Sequence, residues 1–108
     1  MRRKLRFRPR AVEELHNLET NPAHSRILKQ VRKTLGYLET DLRHKSLQTH
    51  EFESLTKLHG IKTFEAYVQH KTPAAYRVFW QYGPDETDEK GKRIPVLTIV
   101  GITPHPKD

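Results

Sequence analysis

Side chains able to bind an anion and move a proton recur on one face of a predicted hairpin. Residues 64–69 and 76–82 each alternate in polarity, which predicts two antiparallel strands whose successive side chains point to opposite faces of a sheet. One face collects the apolar side chains Phe64, Ala66, Val68, Tyr76, Val78 and Trp80. The other collects Glu65, Tyr67, Gln69, Arg77, Phe79 and Gln81. Packing alone would not select an acid, a phenol and a guanidinium, so we expect function on this second face.

A stripe of cations precedes the hairpin at the start of the chain. Read as a strand, residues 2–8 put Leu5 and Phe7 on a core face and Lys4, Arg6 and Arg8 on the other. We call these three cations the cationic stripe. The stripe either protects an edge strand from pairing with another chain or binds phosphates, and the sequence leaves both explanations open.

Composition limits the classes of protein to consider. The chain has 108 residues and a formal net charge of +7, which predicts a single domain over residues 1–108 with a polyanionic partner. The absence of cysteine excludes disulfides and thiolate chemistry. No apolar run is long enough to span a membrane, and we expect a cytoplasmic protein with no membrane partner. The seven histidines form no recognisable ligand motif, so we expect neither a metal nor another cofactor.

Two helices are predicted between the stripe and the hairpin. Helical spacing of apolar residues indicates a helix over residues 9–19 with Pro9 in its first turn. Asn21 is placed to cap a second helix that begins at Pro22. Residues 41–57 lack periodicity and are expected to form a structured loop, and a third strand runs to Ile102. The order β-α-α-β-β-β predicts an α+β fold in which two N-terminal helices pack on one face of a mostly antiparallel four-stranded sheet.

Four features together resemble a known family. They are the order of elements, the size, the run Tyr-Arg-Val-Phe-Trp at residues 76–80, and a tail histidine after the last strand. The chain is similar to the RelE/ParE superfamily of toxins from type II toxin-antitoxin systems. That resemblance implies a RelE-like fold and a cognate antitoxin as partner. It implies one of two functions: a ribosome-dependent endoribonuclease that cleaves messenger RNA and inhibits translation, or an inhibitor of DNA gyrase. A non-catalytic member that only binds nucleic acid or protein is a further alternative.

The resemblance also implies roles for particular residues. Arg77 matches the arginine that binds the scissile phosphate, and His105 matches the tail histidine that acts as a general acid or base. Glu65 and Tyr67 stand where RelE itself has lysines, so a glutamate base is expected instead. Glu65, Glu51 and Glu53 are the candidates, and His50 competes with Glu65 for this role. RNA contacts are expected from the cationic stripe, Phe79 and Gln69.

Simpler interpretations of the same residues remain. Glu65 and Arg77 could form a surface ion pair across neighbouring strands, and His105, between two prolines, could dock the tail on the sheet. For the antitoxin, we expect exposed aliphatic residues on the helical hairpin to form the seat, with Leu28 the leading candidate.

Overall fold

The fold is described from a computed structural model, which covers residues 2–69 and 75–104. His105 therefore lies outside the described residues. The chain begins with β1 (Lys4–Phe7), α1 (Pro9–Thr20) and α2 (Ser25–Thr40). It continues with β2 (His50–Glu51), α3 (Glu53–His59) and β3 (Phe64–Tyr67). The last elements are β4 (Tyr76–Tyr82), β5 (Glu86–Thr87), β6 (Arg93–Ile94) and β7 (Val96–Pro104).

Five of the strands form one sheet in the order β1-β7-β4-β3-β2. The pair β1–β7 is parallel, and the other three pairs are antiparallel. The predicted α+β fold, with N-terminal helices on a mostly antiparallel sheet, is confirmed. The sheet has one strand more than the four predicted, because the two residues of β2 pair with β3. The polar loop after β4 also contains a separate two-stranded ribbon, β5–β6.

The core lies between the two N-terminal helices and one face of the sheet. Ala66, Val78 and Trp80 are buried there, as strand alternation predicted. The helices contribute a buried apolar stripe formed by Ala11, Leu18, Val31, Leu35 and Leu38. Burial of this stripe holds both helices on the sheet, since an amphipathic helix is stabilised mainly by packing its apolar face.

Pro9 and Asn21 mark helix starts as predicted, but Asn21 caps a different element. Pro9 is in the first turn of α1, where its missing N–H has no intrahelical partner to lose. The Asn21 side chain accepts a hydrogen bond from the Ala23 N–H at 3.0 Å and caps a short 3₁₀ turn, Pro22–His24. The second helix therefore begins at Ser25, three residues after the predicted start.

The segment predicted to be a loop over residues 41–57 contains β2 and most of α3. This helix has seven residues, too few for a clear apolar period in the sequence. Its ends are nevertheless typical of a helix: Glu53 in the first turn and Lys57 in the last complement the helix dipole. Gly60 ends it with φ 71°, a conformation that glycine adopts without steric cost.

Leu28 does not meet the expectation of an exposed aliphatic residue. It is partly buried and packs against the core, because it lies beside the buried stripe of α2. The exposed aliphatic residues on helices are instead Val12 on α1, 52% exposed, and Leu58 on α3, 75% exposed. Leu28 is thus less exposed than the sequence analysis expected, and its contact with an antitoxin stays a prediction.

Two glycines make a matched test of this backbone. Gly36 is in α2 and Gly60 ends α3, and a Cβ atom at either position would meet nothing within 4 Å. We expect Gly36→Ala to raise the free energy of unfolding by about 1 kcal/mol, because alanine loses less backbone entropy in a helix. Gly60→Ala should lower it by about 1 kcal/mol, since its φ of 71° is strained for alanine. Urea unfolding measures both, and equal shifts of the same sign would contradict the backbone described.

Candidate active site

Three neighbouring strands bring four chemically active side chains to the face of the sheet opposite the core. Pairing of β2 with β3 sets His50 opposite Glu65, and pairing of β3 with β4 sets Tyr67 opposite Arg77. Glu65 and Arg77 are diagonal neighbours on this face, which long side chains can bridge. We call His50, Glu65, Tyr67 and Arg77 the polar cluster.

Glu65 is the centre of the polar cluster. Its Oε1 lies 2.9 Å from Nε2 of His50 and 4.0 Å from Nε of Arg77. Glu65 is only 1% exposed, whereas the His50 side chain is 48% exposed. A buried carboxylate needs nearby charge and hydrogen-bond partners. The imidazole, not the carboxylate, is therefore the group that solvent or a ligand can reach.

Two contacts hold the imidazole of His50. Nδ1 lies 2.9 Å from the carbonyl oxygen of Gln48, which accepts a hydrogen bond when Nδ1 carries the ring proton. Nε2 lies 2.9 Å from Oε1 of Glu65. One partner on each ring nitrogen therefore sets the orientation of the imidazole beside the buried carboxylate.

Arg77 is held firmly by the strands around it. Its Nη1 donates to the carbonyl oxygens of Gln69 at 2.8 Å and Tyr76 at 3.1 Å. Its Cζ lies 3.8 Å from the centroid of the Tyr67 ring, a favourable cation–π contact. The side chain is 9% exposed, so an anion can reach only a small part of the guanidinium in this arrangement.

Two residues predicted to contact RNA have structural partners instead. The Gln69 side chain accepts from the Tyr76 N–H at 3.1 Å, and this bond ties β3 to β4. Phe79 is 1% exposed, and its ring packs edge to face against Phe52 with centroids 5.5 Å apart. Phe79 is therefore closed to an RNA base in this arrangement, whereas Gln69 is partly exposed and its contact with RNA stays a prediction.

The cationic stripe lies on the edge strand β1 and, with Arg8, on the residue directly after it, and its three members differ in their environment. Arg6 donates two hydrogen bonds to the carboxylate of Glu86 on β5, at 2.7 and 2.6 Å. Hydrogen bonding to Arg6 lowers the pKa of Glu86, and the same bond raises the pKa of Arg6. Lys4 is exposed, and Arg8 lies 3.5 Å from Oε1 of Gln81. Lys4 and Arg8 are thus the more available cations of the stripe.

A groove that the sequence did not predict lies beside the polar cluster, between α3 and the start of α1. Its volume is about 240 Å³. Phe79, Val100 and Gly101 line it from the sheet, Leu55 and His59 from α3, and Arg8, Pro9, Arg10 and Thr103 complete it. A β-bulge in β7 opposite Phe79 and Trp80 puts Val100 at this surface. We call this cavity the α3 groove.

Two searches of the described residues bear on cofactors and membranes. Within residues 2–69 and 75–104, no three His, Asp or Glu side chains come together as ligands of a metal ion. In the same ranges, no helix has the length and apolar character needed to cross a bilayer.

Comparison with known proteins identifies the fold. The sequence matches no protein-family model and no curated protein. The structure is similar to that of the YoeB dimer from Staphylococcus aureus, with a TM-score of 0.58 at 14% sequence identity. The match covers 98% of this chain and 100% of the YoeB chain. The chain therefore has a YoeB-like fold over nearly its full length, the RelE-like fold that the resemblance implied.

Proposed function

We propose that this protein is the toxin of a type II toxin-antitoxin system and that it cleaves messenger RNA on the ribosome, in the cytoplasm. The observation that carries the proposal is the polar cluster: a half-exposed imidazole backed by a buried carboxylate and flanked by a guanidinium. General acid–base catalysis needs such an imidazole, and phosphate recognition favours arginine. The YoeB-like fold and the net charge of +7 support the same proposal.

The reaction we propose needs no group beyond the protein and the RNA. The 2′-oxygen of the substrate attacks the adjacent phosphorus, the bond from phosphorus to the 5′-oxygen breaks, and a 2′,3′-cyclic phosphate forms. His50 gives its proton to the leaving 5′-oxygen, while Glu65 holds the imidazole in place. Arg77 stabilises the charge that develops on the phosphate oxygens. A second group must take the proton of the 2′-hydroxyl. The sequence analysis expected Glu65 or His50 as the base and a tail histidine, His105, as acid or base, and His105 lies outside the described residues.

An expression experiment tests the proposed function. The protein is induced in bacteria, and the 5′ ends of messenger RNA are mapped over the first minutes. We expect new 5′ ends within translated codons, and the same ends when purified protein meets ribosomes loaded with that RNA. Intact transcripts together with a loss of DNA supercoiling would overturn ribonuclease activity in favour of gyrase inhibition.

A non-catalytic binding function is the second candidate, and one observation favours it. Arg77 is 9% exposed and already donates to two carbonyl oxygens. A guanidinium used in this way stabilises the hairpin even when no RNA is bound. Ribosome or RNA binding without any cleavage would support this candidate.

The cationic stripe makes a separate prediction about RNA binding. We expect Lys4→Gln with Arg8→Gln to lower the slope of log affinity against log salt by about 1.4, because each lost phosphate contact to single-stranded RNA removes about 0.7. Arg6→Gln should change the slope less, since Glu86 already binds Arg6. Arg26→Gln with Lys29→Gln removes the same charge from exposed positions on α2 and is the control. If the stripe variant matches that control, the stripe protects the sheet edge instead.

The α3 groove is the surface we propose for the antitoxin. Pro9 and Leu55 line the groove, and the exposed residues Val12 and Leu58 each follow one of them by one helical turn. Residues so spaced share a helix face, so we expect Val12 and Leu58 to extend the apolar surface of the groove. Arg8, Arg10 and His59 surround the apolar floor, which favours an acidic segment with an apolar anchor.

Leu58→Asp tests this docking surface. At 75% exposure the substitution should leave stability and RNA cleavage unchanged, but weaken neutralisation by the antitoxin at least 10-fold, because it puts a charge into an apolar contact. Titration of cleavage with the product of the neighbouring gene measures the effect, with Tyr82→Asp, 56% exposed on β4, as the control. Equal neutralisation of both variants would exclude the groove.

A further inference from the structure

A cavity separate from the α3 groove lies between α2 and the end of β3. Its volume is about 200 Å³, roughly seven times the 30 Å³ that one molecule occupies in liquid water. It is lined by Gln30, Lys33, Thr34 and Tyr37 of α2, by Ser46 and Leu47, and by Tyr67 and Val68. Tyr67 also belongs to the polar cluster, so the cavity and the cluster share one residue of β3.

The α2 side of this cavity is a polar stripe and not an extension of the core. Gln30, Lys33, Thr34 and Tyr37 are spaced i, i+3, i+4 and i+7, which puts them on one face of the helix. Thr34 is 5% exposed, and its hydroxyl donates to the carbonyl oxygen of Tyr67 at 3.2 Å. This hydrogen bond therefore holds the α2 wall of the cavity against β3, the strand that carries Glu65 and Tyr67.

The chemistry of the lining indicates what it would bind. Oε1 of Gln30 is buried and has no hydrogen-bond partner in the described part of the chain. A buried amide oxygen without a donor is costly, which makes a donor from a ligand favourable. Lys33 supplies a cation at the same cavity. The ring of Tyr37 is held by stacking on His44, with centroids 3.8 Å apart, so it provides a rigid aromatic wall.

We propose that this cavity binds a nucleobase with an exocyclic amino group, from the nucleotide next to the scissile phosphate. This inference rests on the proposed function. The amino group of adenine, cytosine or guanine would donate to Oε1 of Gln30. Uracil has no amino group, and its N3–H donor is flanked by two carbonyl oxygens that Oε1 would repel. Lys33 would pair with the phosphate of that nucleotide. Proteins read single-stranded RNA in this way, with aromatic contact to the ring and hydrogen bonds to the base edge.

Mononucleotides separate binding from cleavage, because they contain no scissile bond. Titrations of the wild-type protein with AMP and UMP, followed by NMR, should show that AMP binds about 3- to 10-fold more tightly, as one hydrogen bond would give. Gln30→Leu should weaken AMP binding to the level of UMP and leave UMP binding unchanged. Equal binding of AMP and UMP by the wild-type protein would overturn the proposal.

Two lysines on α2 provide a matched control that does not depend on the Gln30 variant folding. Lys33 lines the cavity and Lys29 does not. We expect Lys33→Gln to weaken AMP binding several-fold while adenosine binding stays the same, and Lys29→Gln to change neither. Equal effects of the two variants on AMP would also overturn the proposal.

The base-binding proposal and the proposed ribonuclease function can fail separately. If the protein binds AMP selectively but cuts no messenger RNA, only the proposed ribonuclease function is excluded. If it cuts messenger RNA but binds AMP and UMP equally, only the proposed binding of a nucleobase in this cavity is excluded.

Discussion

His50→Gln should lower single-turnover cleavage of ribosome-bound messenger RNA by about 100- to 10,000-fold, the range expected when a general acid or base is lost. Glutamine can still donate a hydrogen bond to Glu65, but it cannot release a proton to the leaving oxygen. Because the His50 side chain is 48% exposed, the variant should fold with nearly unchanged stability. Single-turnover rates on programmed ribosomes measure the effect.

His16→Gln is the matched control for this substitution. His16 is an exposed residue of α1 and is outside the polar cluster. Its variant should cleave at the wild-type rate. A His50→Gln protein that cleaves as fast as the His16→Gln protein would show that His50 transfers no proton.

Arg77→Ala should lower the free energy of unfolding by about 3 kcal/mol, which is the expected cost of removing one member of a buried charge pair. The carbonyl oxygens of Gln69 and Tyr76 would lose a charged donor, and Glu65 would lose its nearby cation. From the sequence alone we would expect a loss of cleavage in a protein that remains stable. The burial of the Arg77 side chain instead predicts that Arg77→Ala lowers stability and cleavage together.

Two variants separate the structural and chemical roles of Arg77. Arg77→Lys keeps the charge but loses the planar fork, so it should recover only part of the stability. Arg6→Ala removes a shorter ion pair that lies at the surface, where water screens the charges, and should change stability little. Urea unfolding of all three variants measures the contrast. Wild-type stability of Arg77→Ala would contradict the packing described for this face.

Strand alternation predicted the two faces of the sheet correctly. Ala66, Val78 and Trp80 are in the core, and Glu65 lies with Arg77 on the opposite face. The period of two in residues 64–69 and 76–82 is enough to sort these side chains. Alternation says nothing about what covers a face, so the near-complete burial of Glu65 could not be predicted.

The parts that sequence reasoning missed are short or depend on distant contacts. Phe52, between β2 and α3, packs on Phe79 of the polar face. These two elements have two and seven residues, too few for a periodic signal. The helical ends of α3, with Glu53 in the first turn and Gly60 at the exit, were the available indication. The cavity beside Gln30 depends on how α2 meets the end of β3, and no local pattern records that contact.

A single 2′-deoxynucleotide at a mapped cleavage position tests the central claim most directly. The proposed reaction uses the 2′-oxygen as nucleophile, so cleavage after the deoxynucleotide should be lost while cleavage at other positions in the same messenger RNA continues. The released fragments from unmodified RNA should end in a 2′,3′-cyclic phosphate. Undiminished cleavage at the deoxynucleotide, or no cleavage of any ribosome-bound messenger RNA, would contradict the account.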